Sequence, residues 1–230
     1  MQKRAEWRAV LPHAIANRLA ALALQNIPAA TIMKALVADA PPRLRRSFSR
    51  RLGYLDGSKE AQSIVRAWLA PGGMLADTPN LGEDERAMLA NVAPVMSDET
   101  LAAIEHALKE ADEPTLAKTT HVARLLRSLA YEPEQFERAV AILIKIALAA
   151  KDDDENGAAG IVPSLFYIVL SGTHAPIAMR LKVLEGFLKS DEPELQAVGF
   201  KSLDAVLKTD HFSSAHGFEF GARSDLAPGA

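Results

Sequence analysis

The sequence predicts an all-α chain: a short N-terminal helical subdomain, then antiparallel helix hairpins of HEAT/armadillo-like period stacked as an α-solenoid. Three observations carry this. Apolar residues make up 49% of the chain but aromatic residues only 6%, whereas strands draw on β-branched and aromatic side chains. Apolar positions recur at spacings of three and four. Prolines suited to the first turn of a helix fall at Pro114, Pro133, Pro176 and Pro193, which paces the C-terminal half at two helices per roughly 40 residues. Such a helix pair cannot bury its apolar face alone, so neighbours must stack and leave an extended concave surface.

Taken in order, residues 1–70 form the helical subdomain. An amphipathic pattern runs over 5–27, restarted at Pro12, with Ile15, Leu19 and Leu22 as its buried stripe. Residues 28–39 give a second helix with Ile32, Met33, Leu36 and Val37 inward, stopped by Pro41-Pro42. The third, Arg43–Leu52, points Leu44, Phe48 and Leu52 inward at spacing four. Ser58 caps the fourth, Lys59–Leu69, which buries Ala61, Ile64, Val65 and Trp68. Turn formers crowd residues 71–82, a linker by composition.

The repeat domain spans 83–209. Residues 83–92 and 98–110 read as helices, the second capped by Ser97. Helices then open at the four prolines, with one more over 159–170 behind the polar loop 151–157. The last, 190–209, has Ser190 or Asp191 as its cap and Glu192 and Glu194 at the positive end of its dipole. Its apolar stripe is Leu195, Val198, Leu203, Val206 and Leu207. Residues 210–230 lose the periodicity and form a docked or disordered tail.

Composition narrows the function. The net charge of -3 exerts no global pull on nucleic acid or anionic lipid. The absence of cysteine removes disulfides and thiolate metal sites. No apolar signal core or membrane-length apolar run is seen, so a cytoplasmic protein is expected. The one charged cluster is Arg43, Arg45, Arg46, Arg50 and Arg51. These residues could contact phosphates, and a short preceding helix permits a helix-turn-helix arrangement. Equally, they could be a solvated face paired with acids such as Asp39, Asp56 and Glu60, since the helix lacks base-reading Asn or Gln. Residues 53–59, GYLDGSK, miss the phosphate-loop spacing and read as a turn before a cap. His211 and His216 near Asp210 and Glu219, and the acidic run 152–155, read as tail and loop polarity, because neither has metal-ligand spacing. No nucleophile elbow occurs. The chain therefore reads as non-catalytic and without cofactor.

Three stretches carry a resemblance: WRAVLPHAIANRLA (Trp7–Ala20), RRLGYL (Arg50–Leu55) with EAQSIVRAWL (Glu60–Leu69), and HFSSAHGFEFGAR (His211–Arg223). They resemble the helical part of bacterial STAND-type signalling NTPases of the NACHT and NB-ARC-like kind. In such proteins a P-loop core is followed by a lid, a winged-helix-like segment and a helical-repeat arm. The resemblance implies that the first block is lid, that the arginine helix lies in the winged-helix-like segment, and that 83–209 is the arm. Neither Walker motif is present, so ATPase activity does not carry over. It implies a protein-interaction or sensor module acting with an NTPase encoded nearby, and a chain that starts late, is split or is truncated. The alternative is a nucleic-acid-binding helical protein using the arginine helix.

Overall fold

Helix starts follow the chain's prolines and short polar residues. The computed structural model describes residues 2–4, 7–9, 13–151, 157–169 and 171–209, with the backbone alone for the first two stretches. They form an all-helical architecture apart from a small antiparallel hairpin of β1 (Gln2–Arg4) and β2 (Trp7–Ala9). The expected tail and the acidic run 152–155 lie outside the described residues. The described residues divide into two compact units, one of residues up to 77 and 81–100, the other of 78–80 and 101–209.

The first unit holds α1 (His13–Asn26), α2 (Ala29–Met33, passing into a π-helical turn, Lys34–Ala38), α3 (Pro42–Leu52), α4 (Lys59–Leu69) and α5 (Glu83–Val92). Pro42 opens α3, where its missing N–H costs nothing. The Ser58 hydroxyl accepts the Ala61 N–H at 3.2 Å and caps α4. Phe48 and Leu52 of α3 are buried, as are Ala61, Ile64, Val65 and Trp68 of α4, matching the sequence pattern. Phe48 meets Trp68 edge to face, ring centres 6.0 Å apart. At the end of α3 the chain runs so close to α5 that a Cβ on Gly53 would sit 2.1 Å from the Asn91 carbonyl oxygen. Residues 71–82, expected as a linker, bury Leu75, Thr78 and Leu81.

α1 departs from expectation in two ways. Its helix starts at His13, after the hairpin, rather than at residue 5. Its buried positions are Ala16 and Leu24, whereas Ile15, Leu19 and Leu22 are 52%, 51% and 42% exposed. The reason is visible in HAIANRLAALALQN: apolar residues surround the whole helix, so periodicity does not select the inward face. α2 also buries only Ile32 of its four expected positions.

α6 (Ser97–Leu108) contains the boundary between units. The second unit continues with α7 (Glu113–Lys118), α8 (Ala123–Leu129), α9 (Pro133–Ala150), α10 (Ala158–Ser164), α11 (Ile177–Leu188) and α12 (Pro193–Leu207). Pro114, Pro133 and Pro193 lie in first turns and Pro176 immediately precedes α11, as the sequence predicts. α7, α8 and α10 pack on α9, and α12 packs on α10 and α11. Phe136 of α9, Phe166 and Phe187 of α11 form a buried chain of edge-to-face contacts at 6.1 and 5.9 Å.

α10 stops well short of residue 170. Pro163 withdraws a backbone donor in its last turn. The buried guanidinium of Arg180, on α11, donates to the Tyr167 carbonyl at 2.5 Å and the Leu165 carbonyl at 3.5 Å just beyond it. α12 corrects the expected stripe. Its buried positions are Gly199, Ser202 and Ala205, small residues that allow a close approach to α10 and α11. Leu195, Val198, Leu203 and Val206 flank that face half-buried, and Leu207 is exposed.

Two glycines on the α11–α12 hairpin should respond oppositely to Ala. A Cβ at Gly186 meets nothing within 4 Å, so Gly186→Ala should raise unfolding stability by about 0.5–1 kcal/mol in urea titration. At Gly199 it would lie 3.1 Å from the Phe187 Cβ, so Gly199→Ala should fail to stabilise. Equal stabilisation at both sites would contradict the close packing of α12.

Candidate functional site

The arginine helix sits in the first unit, and two of its five charges reach α5. That helix opens with Glu83, Asp84 and Glu85, acids that also suit its dipole. Arg46 Nε lies 3.1 Å from Asp84, and Arg45 lies 3.9 Å from Glu85. For Arg45 and Arg46 the acids are thus Glu85 and Asp84, which lie farther along the chain than the Asp39, Asp56 and Glu60 that sequence proximity suggests. Arg51 donates to the Asn17 side chain on α1. Arg43 and Arg50 are exposed. Beneath these charges, buried Ser49 donates to the Arg46 carbonyl at 2.9 Å and accepts from the Asn91 amide at 2.9 Å. The five arginines share one helix, but three of them brace that helix against α1 and α5.

A second feature of this unit was not foreseen. α1, α2 and α4 enclose a groove of about 300 Å³. Leu24, Ala29, Ile32 and Ile64 make its apolar wall, with Lys59, Glu60 and Ser63 at the edge. The Glu60 carboxyl is held below its ordinary range by its own backbone N–H and by the Ser58 hydroxyl, so it stays ionised. On α1, Ile15, Leu19 and Leu22 add a stripe of exposed apolar side chains at spacings of four and three. Sequence reasoning found these residues but assigned them to the core.

The second unit contains a group that sequence reasoning missed. Arg127 of α8 is only 5% exposed, and no acceptor among the described residues reaches any of its three guanidinium nitrogens. Burial lowers its pKa from the ordinary arginine value. A signal existed: Ala123, Arg127 and Ala130 are spaced four and three apart and are all buried, so Arg127 occupies an inward stripe. Nearby in sequence, the Tyr131 hydroxyl and His174 Nε2 lie 2.7 Å apart. Burial, then the Glu132 charge, raises the Tyr131 pKa.

His211, His216, Asp210 and Glu219 lie outside the described residues. Among the described residues, no group of three or more His, Asp or Glu could hold a metal ion, and no helix is long and apolar enough to cross a membrane. Compared with protein-family models, with curated proteins and with solved structures, the chain matches none.

An uncompensated buried cation opposes folding. Arg127→Met keeps most of the volume and removes the charge, and should raise stability by at least ~1 kcal/mol. Chemical denaturation checks this. A loss of stability would mean that Arg127 holds an anionic partner in solution.

Proposed function

We propose that this chain is a non-catalytic interaction or sensor module, the helical arm of a bacterial signalling NTPase system in the cytoplasm. In this reading residues 83–209 are HEAT-like hairpins of an α-solenoid, and the partner is a P-loop NTPase encoded nearby. The reading starts from the resemblance carried by Trp7–Ala20, Arg50–Leu55 and Glu60–Leu69. The observation that supports it is the α1 surface. Ile15, Leu19 and Leu22 are about half exposed along one face of α1, the face opposite Leu24, which lines the groove with Ile32 and Ile64. A line of exposed apolar side chains along one helix face supports a contact surface.

The rival reading, nucleic-acid binding by Arg43, Arg45, Arg46, Arg50 and Arg51, has less to draw on. Arg45 and Arg46 face Asp84 and Glu85, and binding a phosphate would mean leaving those carboxylates. Their negative charges would also repel the nucleic-acid backbone.

The test begins with the DNA flanking this gene, translated in all frames, with transcript mapping. A co-transcribed G-x-x-x-x-G-K-[ST] core should be found and should co-elute with this chain on co-expression. Leu19→Glu should then weaken the complex by tenfold or more while leaving helicity and thermal stability unchanged, because Leu19 is exposed. Failure to co-elute would sink the NTPase assignment. Salt-sensitive DNA or RNA binding, lost in the Arg43→Ala/Arg50→Ala variant, would establish the rival.

A further inference from the structure

The groove between α1, α2 and α4 combines an apolar floor with a charged rim. Leu24, Ile32 and Ile64 make the floor, one from each helix, and each is at most 8% exposed. Ala29, the first residue of α2, lies exposed at the rim. The volume of about 300 Å³ stands at the lower end of the range for ligand pockets, about 300–1,000 Å³. It suits one short aliphatic chain with its head group rather than a peptide.

The rim carries two opposite charges side by side. Lys59 and Glu60 are consecutive in the first turn of α4, and both line the groove. Glu60 is held ionised by its own backbone N–H and by the Ser58 hydroxyl, with the Lys59 charge a minor contribution. The Ser58 hydroxyl donates to Glu60 Oε2 at 2.9 Å, so the helix cap rather than Lys59 fixes this carboxylate. A ligand head of one sign would meet one attraction and one repulsion here. A simple carboxylate is drawn to Lys59 and repelled by Glu60, and a simple amine the reverse. A head that carries both charges, joined to an aliphatic chain for the floor, matches all three features.

We infer that this groove binds a free aliphatic α-amino acid, with Lys59 facing its carboxylate, Glu60 its ammonium group, and Leu24, Ile32 and Ile64 its side chain. The site goes beyond the interaction role proposed above and stands without it, since the exposed stripe of α1 lies on the face opposite Leu24.

L-leucine is the probe, titrated into the full chain with its Ile and Leu methyl groups labelled for NMR. It should shift the Leu24, Ile32 and Ile64 methyl signals saturably. Isovalerate, which lacks the ammonium group, and isoamylamine, which lacks the carboxylate, should each bind about tenfold more weakly or worse, because each loses a charged contact. Glu60→Gln should bring L-leucine and isovalerate to about the same affinity. Ala29→Phe, at an exposed position, should fill the groove and abolish the shifts while leaving thermal stability unchanged. No saturable shift of these methyl signals by L-leucine would overturn the inference. So would equal binding of L-leucine and isovalerate by the unaltered chain, which would make this a site for aliphatic acids held by Lys59 alone. Shifts that persist in Ala29→Phe would overturn it as well, by placing the ligand elsewhere.

Discussion

The second unit depends on the need to hide α9. In PEQFERAVAILIKIALAA, consecutive Ile142, Leu143 and Ile144 are all buried, as are Phe136, Ala139, Val140, Ile146 and Ala147. Consecutive buried positions on a helix point in different directions, so one neighbour cannot shield them. α7, α8 and α10 each pack on this helix. The exceptions mark its solvent edge: Arg138 pairs with Glu105 at 2.6 Å, and Glu137 lies 3.6 Å from Lys182. Short helices such as α7, α8 and α10 would not persist in water alone. Their apolar faces and that of α9 stabilise one another.

The parts of the fold legible in the sequence were those fixed by local chemistry. Proline cannot sit in a helix interior without cost, so Pro114, Pro133, Pro176 and Pro193 marked helix starts whatever the tertiary surroundings. Ser58 capped α4 for the same local reason. α3 and α4 were legible because each has one apolar face against charged residues. α1 and α12 were not. Both carry apolar side chains on more than one face, and the choice between faces is made by the neighbour. In α12 the buried face is that of the small residues Gly199, Ser202 and Ala205, and at Gly199 the approach is so close that a Cβ would lie 3.1 Å from Phe187. Large apolar residues were then left outside, against the usual expectation.

The candidate site divides the same way. The arginine helix was plain in the sequence, but its partners were not, since Asp84 and Glu85 lie far along the chain and meet it only through the packing of α3 on α5. Such exposed pairs contribute little individually, about 0.2–1 kcal/mol, and weaken with salt. Their importance is in direction: they turn basic side chains toward the protein. Arg127 was hidden by its own type, since arginine is read by default as surface. The groove between α1, α2 and α4 is a product of three elements and has no signature in any one of them.

Arg180 ties the end of one helix to the arrival of another. Helices commonly finish with a local device, often a glycine, that satisfies the last carbonyls within a few residues. Just past the end of α10, the Leu165 and Tyr167 carbonyls are in addition met by a guanidinium from α11. α10 has local bonds of that kind as well, from the Leu165 and Phe166 N–H groups to the Val162 and Pro163 carbonyls and from the Ser164 hydroxyl to the Ile161 carbonyl; Arg180 reaches the two carbonyls beyond them. The segment after α10 is thereby coupled to the docking of α11, and α12 contacts both helices. Among the described helices, α10 thus joins two neighbourhoods, packing on α9 on one side and on α12 on the other. Loss of the Arg180 contacts would free the chain between α10 and α11 before it freed α10 itself, which keeps its packing on α9.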